Sequence, residues 1–487
     1  MKIRHLPLIL IVIVASWGRA AGQADSIPGG EWTLRQCVDY ALEQSLTVKR
    51  SELDVKGSQI DHNLARWQMV PTLNASVSHG LNWGRSINPV TNLFTTQEIQ
   101  SNQLAAQSGV TLFNGLRVQS EIKQTQHSLQ ASEADLEKTR NDVIINVVTL
   151  YVNVVFNKEL LENARLQLAS SQAQLARTRV QVELGALPMS DQLNLEAEVA
   201  SNDLNVVNQE NALGISLLQL KQAMQVPASV ELDVVVPDLS VEDLVLEQSR
   251  DEVFRSALLV MPEIRSANLR VESAEYGIRA AKGNLYPRLS LFGSVTTNYS
   301  SASDGPHFIP SGDDPVPTIV DIGYVEGTGQ RVLANEFQTP GEVVETYGRR
   351  DQFKDNIFRA VSLSLSIPIF NGMQSRSAYQ RSVIQRNQAE LNRLDIRNQL
   401  RQLVETAYND AMAASKTYHS AQQQVAAREE AFRSIQARYN SGASNFFEYQ
   451  LAESQLFQAR SDLSRAKYNF VFRKKILDFY QNKPVDF

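Results

Sequence analysis

Apolar residues recur at every seventh position along two long stretches of the chain. Val147, Val154, Leu161, Leu168, Leu175 and Val182 form one series, and Ile122, Leu129, Leu136, Val143 and Leu150 form a second that partly overlaps it. Val404, Ala411, Tyr418, Val425, Phe432 and Tyr439 form a third, farther along. Such spacing keeps an apolar seam turned toward a neighbouring helix. No proline interrupts 114–187 or 371–483. Each stretch therefore predicts a helix of about 70 residues, a rod on the order of 100 Å long at ~1.5 Å per residue. Gly185 and Gly442 stop these helices, because glycine tolerates the left-handed conformation just past a helix end. Pro188 reinforces the first stop. A second helix restarts near Ser190 and near Ser444, so each rod folds back through a tight turn. Both turns then lie at the same end of the rods.

A different period governs the segments before the rods. Val361, Leu363, Leu365, Ile367 and Ile369 alternate with Ser362, Ser364 and Ser366. Leu289, Leu291, Gly293 and Val295 alternate with Ser290, Phe292, Ser294 and Thr296, and Leu73, Ala75 and Val77 with Thr72, Asn74, Ser76 and Ser78. Residues 104–113 follow the pattern more weakly. A period of two predicts strands with one apolar and one small polar face. Pro71 and Pro287 close the helices before them. Each stretch approaches the ~9–11 residues of a tilted membrane-spanning strand. In a soluble hairpin the apolar face would meet a core; in a membrane barrel it would meet lipid.

The two halves repeat. Phe113-Asn114-Gly115 returns as Phe370-Asn371-Gly372, Tyr151 as Tyr408, and Gly185-Ala186 as Gly442-Ala443, all displaced by 257. Upstream, Val48, Leu53, Val55, Ala65 and Pro71 match Ile264, Leu269, Val271, Ala281 and Pro287 at a shift of 216. The difference, 257 − 216 = 41, is an insertion in the second half, within about 300–357. Its richness in Gly, Pro and Asp predicts a long loop. Four strands cannot close a barrel alone. Two chains give eight strands, whose interior side chains fill, whereas three chains give twelve and leave a bore. A conducting barrel therefore predicts a trimer.

Composition narrows the setting. Residues 1–22 carry the marks of a secretory signal peptide: Lys2, Arg4 and His5, a short apolar run from Leu6 to Ala15, then Ala20-Ala21-Gly22. Lys+Arg 47 against Asp+Glu 53 gives a net charge of -6, and 44 − 53 = -9 once the leader is removed, which argues against a general nucleic-acid binder. The single cysteine, Cys37, excludes an intrachain disulfide and is expected to be a buried thiol. The six histidines show no metal-ligand spacing and the seven methionines do not cluster. Gly327-Thr328-Gly329 lies in the expected loop, so it is no dinucleotide fingerprint. No phosphate loop, zinc motif or nucleophile elbow is present, and neither an enzymatic activity nor a cofactor is expected.

Ile367-Pro368-Ile369-Phe370-Asn371-Gly372 resembles the strand-to-helix motif of the TolC-like outer-membrane efflux protein family. Glu31-Trp32-Thr33-Leu34-Arg35-Gln36-Cys37-Val38-Asp39-Tyr40-Ala41-Leu42 resembles the family's mature start, and the duplicated layout matches from about residue 31 to 480. The first copy has Thr111 where the second has Pro368. The resemblance implies an internally duplicated α+β membrane protein. Three chains would give a twelve-stranded β-barrel, four strands from each, continued by a long α-helical coiled-coil tunnel. It implies an outer-membrane exit duct with a periplasmic extension. That duct would serve a periplasmic adaptor and an inner-membrane transporter in tripartite pumps or type I secretion.

The expected layout is a leader (1–22), an N-terminal periplasmic helix (23–70), a first β-hairpin (71–113) and a first helical hairpin (114–224). An equatorial segment (225–250), a second-repeat helix (251–286), a second β-hairpin with a long extracellular loop (287–370), a second helical hairpin (371–480) and a tail (481–487) follow. Carried onto this chain, the family's periplasmic constriction places an acid at Glu448, while Leu451 stands where a second is often found. Asp191 and Tyr439 match partners of a link between helix pairs, and Ser444 replaces an arginine of that link. The turns Leu184-Gly185-Ala186-Leu187 and Ser441-Gly442-Ala443-Ser444 are the expected adaptor-docking surface. Two other readings stay open at this point: a secreted or periplasmic structural coiled coil or adhesin, and a hydrolase built on unrecognised groups.

Overall fold

The computed structural model describes residues 30–87, 93–96, 98–237, 249–303, 307–481 and 483. The leader expected over 1–22, residues 238–248 of the equatorial segment and residues 484–487 of the tail lie outside these. A short strand, β1 (Gly30–Trp32), leads into α1 (Leu34–Gln44) and α2 (Leu46–Trp67). Thr33 starts α1 through a capping box: its hydroxyl accepts from the Gln36 amide at 3.4 Å, and the Gln36 side chain accepts from the Thr33 amide at 2.9 Å. Then come β2 (Thr72–Asn82), a small hairpin of β3 (Arg85–Ile87) and β4 (Phe94–Thr96), β5 (Ile99–Phe113), and the helical hairpin α3 (Arg117–Glu183) and α4 (Met189–Ala223).

The second half begins with β6 (Leu232–Val234), α5 (Arg250–Val260), α6 (Pro262–Gly283) and β7 (Arg288–Ser300). After β7 come β8 (His307–Pro310), β9 (Val316–Tyr324), β10 (Arg331–Gln338), β11 (Gly341–Val344) and the short helix α7 (Arg349–Asp355). The chain ends with β12 (Phe358–Ser366), α8 (Gln374–Asn440) and α9 (Phe446–Phe479). Helices α3 and α8 have 67 residues each, so each is a rod of about 100 Å.

The heptad positions are where these rods pack. Val147, Val154, Leu161 and Leu175 of α3 are buried, as are Val404, Ala411 and Val425 of α8. Helix α3 lies against α2, α4, α6 and α9, and α8 against α5, α6 and α9. The largest apolar cluster joins α3 to the parallel pair β1–β6: Val147, Val148, Tyr151, Val152, Val154 and Val155 meet Trp32, Cys37, Leu220, Met224 and Val234. This same part of α3 is apolar and long enough to cross a bilayer by composition alone; its valines instead pack on β1, β6 and α1. Burial in that cluster pushes the Cys37 thiol up to about 12, which keeps it protonated and inert. A second cluster ties α5 and α6 to α8 and α9 through Val253, Ala257, Leu400, Val404 and Leu477.

Two expectations change. The insertion near 300–357 is no featureless loop: β9 pairs with β10 and β8 with β11, both antiparallel. Helix α7 is pinned to the end of β7 by the buried Gln352, which donates to the Ser300 and Tyr347 carbonyls at 3.2 and 2.8 Å and accepts from the Ser300 amide at 2.9 Å. The alternation over 361–369 also outlasts its strand. β12 ends at Ser366, because Pro368 has no N–H to give a ladder.

Candidate functional site: the sheet and the helical tip

Strands β12, β7, β5 and β2 form one antiparallel sheet in that order, leaving β12 and β2 as open edges. The register gives the sheet one mostly apolar and one mostly polar face. Leu363 lies opposite Leu291, Leu365 opposite Leu289, Ala75 opposite Ala106 and Val77 opposite Leu104. On this face Leu73 is 77% exposed and Val361 80%. The opposite face runs Ser362, Phe292, Gly109, Thr72 across one row and Ala360, Ser294, Gln107, Asn74 across the next. These residues line a hollow of about 360 Å³. The ring of Phe292 covers Gly109, where a Cβ would come within 3.0 Å of it. A sheet with one exposed apolar face and one face of mostly small or polar side chains, broken by Phe292, suits a wall between lipid and water.

At the strand-to-helix junctions, Phe113-Asn114-Gly115 and Phe370-Asn371-Gly372 turn the chain in the same way. Gly115 and the following Leu116 are left-handed at φ 65° and 61°, and Gly372 and Met373 at 62° and 65°. Asn114 is buried and its Oδ1 accepts from the Val118 amide at 3.4 Å. Asn371 donates instead to Ser375 Oγ at 2.6 Å.

At the far end of the rods both turns close alike. Gly185 N donates to Val182 O at 2.9 Å and Ala186 N to Gln181 O at 2.8 Å; Gly442 N donates to Tyr439 O at 3.0 Å and Ala443 N to Arg438 O at 2.8 Å. Both are Schellman closures with glycine in the left-handed position. They differ in the next helix start. Pro188 caps α4 without a side-chain bond, whereas Asn445 Oδ1 accepts from the Glu448 amide at 2.8 Å. Leu184, Met189, Phe447 and Leu451 stand exposed around these turns.

Glu448 lies in the first turn of α9, where the helix dipole favours its charge. Its carboxylate accepts from the Ser444 hydroxyl, and Arg438 stands 4.0 Å away. Tyr439 and Asp191 are near one another across the two hairpins, but the Tyr439 hydroxyl takes its hydrogen bond from Gln174 Nε2 at 3.5 Å. Burial chiefly, and the charge of Asp191 as well, push the Tyr439 hydroxyl above its usual range. Asp191 sits in the first turn of α4, accepting from the Ser190 hydroxyl at 3.4 Å.

Of the residues that organise this tip, the sequence patterns single out Leu175 and Tyr439 but not Leu195, Phe446 or Tyr449. Tyr439 stacks on Tyr449 with centroids 5.0 Å apart, and Tyr449 joins Leu175, Leu195 and Phe446 in one buried cluster. Phe446 and Tyr449, three apart on α9, are the helix-face signal that could have found it. Arg438, which supplies a cation beside Glu448, carries no local signal, because it depends on the turn bringing ten residues back on themselves.

A sequence profile described as outer membrane efflux protein matches residues 37–225 and 253–474. The chain is 22% identical over 454 residues to outer membrane protein TolC of Escherichia coli (strain K12), spanning 91% of this chain and 80% of that protein. It is 23% identical over 450 residues to nodulation protein T of Rhizobium leguminosarum bv. viciae, spanning 89% and 78%. Its fold is similar to that of the outer membrane protein VceC from Vibrio cholerae, with a TM-score of 0.70 at 13% identity over 92% of this chain and 94% of that one.

Proposed function

This chain belongs to the outer membrane efflux protein family, and we propose that it is the outer-membrane exit duct of an export system, assembled as a homotrimer. One observation carries this reading: the four-stranded sheet exposes its apolar face and, among the described residues, leaves both edges, β12 and β2, unpaired. In hydrocarbon every backbone N–H and C=O needs a partner, so such edges call for other copies. Three copies make twelve strands, enough for an open bore. The rods would then hang beneath as a coiled-coil tunnel through the periplasm. The equal lengths of α3 and α8, and the matched closures at Gly185 and Gly442, support an internal duplication.

Within that assembly, Glu448, Asp191 and Tyr439 belong to the periplasmic gate. Residues 184–187 and 441–444 form the surface offered to a periplasmic adaptor, through which an inner-membrane transporter drives export. The boundaries expected for the leader, the equatorial segment and the two hairpin pairs are part of this proposal. The chemistry of this duct is passive, and no catalytic group is assigned. A structural coiled coil or adhesin is not favoured, since it gives no reason for an exposed apolar sheet. The test is outer-membrane fractionation, heat-modifiable migration of a trimer, and ion conductance in planar bilayers. A monomer that stays in aqueous solution without detergent overturns the reading.

A further inference from the structure

The helix ends beneath the sheet lie at one level. Where the end of α6 meets the first turn of α3, a methyl group on Gly283 would come within 2.8 Å of Arg117 Cβ. On the other side of α6, the Ser375 hydroxyl at the start of α8 donates to the Asn284 carbonyl at 3.3 Å. Across α3, His62 Nδ1 of α2 lies 3.2 Å from the Thr125 hydroxyl, so the last turns of α2 run beside the first turns of α3. The helices thus follow one another as α8, α6, α3, α2, in the order of β12, β7, β5, β2 above them.

The chain carries a net charge of -6, yet its acids avoid this region. Residues 62–82, 99–120, 276–303 and 356–389 hold the four strands and the helix ends joined to them. They contain nine Lys or Arg and no Asp or Glu. Five of the nine stand on the helix ends: Arg66, Arg117, Lys282, Arg376 and Arg381. Arg117 is half-buried and pairs with Glu121 at 3.1 Å. The other four are exposed, and among the described residues none has an ion-pair partner. The remaining cations are used or placed elsewhere. Arg279 lies over the Tyr276 ring, Arg386 reaches Glu275, Arg288 bonds Ser290 on the polar face of the sheet, and Arg359 is at the far end of β12.

The apolar band begins directly above these cations, with Leu73 and Leu365 exposed. Trp67, Tyr286 and Phe370 are exposed at the level between them. Exposed Trp and Tyr rings are enriched where a membrane meets water, and Lys and Arg stems can lie along apolar surface while the charged head reaches a polar layer. Cations with no neighbouring acid leave a positive potential. Beside hydrocarbon, the anion that meets it is a headgroup phosphate. The other end of the sheet has the opposite character: residues 307–355 hold nine Asp or Glu against four Lys or Arg. The positive charge is therefore confined to the edge that faces the rods.

We propose that the helix ends beneath the sheet form a cationic belt that binds the phosphate headgroups of anionic phospholipids in the leaflet facing the rods. The proposal rests on reading the sheet as a lipid-facing wall, and adds which lipid chemistry that wall selects and at which edge. Headgroups held by Arg66, Lys282 and Arg376 would also fix the depth at which the sheet sits.

The test reconstitutes the full-length assembled protein in nanodiscs of phosphatidylethanolamine mixed with phosphatidylglycerol. Mass spectrometry of the lipids retained on detergent extraction gives their ratio on the protein against that in the disc. The wild type is expected to retain phosphatidylglycerol preferentially, and less so at high salt. Arg66→Gln, Lys282→Gln and Arg376→Gln are each expected to lower that preference, by up to about fivefold per charge removed. Arg288→Gln, at the same edge but on the polar face, should leave it in place. An unchanged preference in the three variants, or an equal loss in Arg288→Gln, overturns the belt. Thermal stabilisation in lipid-free detergent supplies the second arm: inorganic phosphate matching phosphatidylglycerol there would make this a free-anion site and overturn the lipid assignment. A trimer that enters the discs and shows no preference sinks the belt alone. A chain that does not enter them sinks the duct reading and the belt with it.

Discussion

A methyl group on Gly115 would lie 2.6 Å from the carbonyl oxygen of Gly283. The turn from β5 into α3 therefore runs in contact with the end of α6. Gly372, at the same place before α8, has a similar φ of 62° but open space around it. Gly372→Ala is expected to cost only the left-handed penalty, ~1–2 kcal/mol. Gly115→Ala adds a backbone clash and should lower the melting temperature clearly further. Equal shifts in calorimetry of the assembled protein would show that the first junction can relax.

The sheet makes a two-sided prediction. Val361→Lys puts a charge on the exposed apolar face near the middle of the sheet, opposite Gly293, where the proposed lipid contact would make it cost ~2–4 kcal/mol near the bilayer midplane. Ser364→Lys puts the same charge on the polar face. The yield of heat-modifiable trimer in outer membranes should fall for the first and hold for the second. Normal yield of Val361→Lys would contradict the facing.

At the tip, Glu448→Ala should change single-channel conductance or the block by multivalent cations. Arg438→Ala, removing the cation 4.0 Å from that carboxylate, should strengthen cation block. Traces identical to wild type in both would remove Glu448 from the gate.

Tyr449 tests the packing that holds the tip. It is buried against Tyr439, Leu175, Leu195 and Phe446, so Tyr449→Ala is expected to cost about 3 kcal/mol or more, as for other buried aromatic truncations. Hydrogen exchange over 439–452 should accelerate and openings become more frequent. Tyr449→Phe keeps the ring and should restore both. Unchanged exchange in Tyr449→Ala would mean that the cluster does not hold the tip.

Much of this architecture is legible in local pattern. The seven-residue series mark α3 to within a few residues of its ends and only the later half of α8, from Val404, and Gly185 and Gly442 mark their closures, since both signals depend only on near neighbours. The ladder of β8 to β11 is not legible, because its Gly, Pro and Asp content matches that of a loop. The end of β12 misleads for the opposite reason: the alternation continues to Ile369, but Pro368 cannot join the ladder.

What the amino-acid order determined by itself was period and punctuation: two long helices folding back, and strands with one apolar face. Only the tertiary structure decided which side chains share a layer. Leu175, Leu195 and Tyr449 are far apart in the chain and ordinary in composition, yet they pack in one cluster, and Ser170 bonds Glu453. They matter because α9 lies on α3, and burial and charge are set by neighbours across a seam rather than along the backbone.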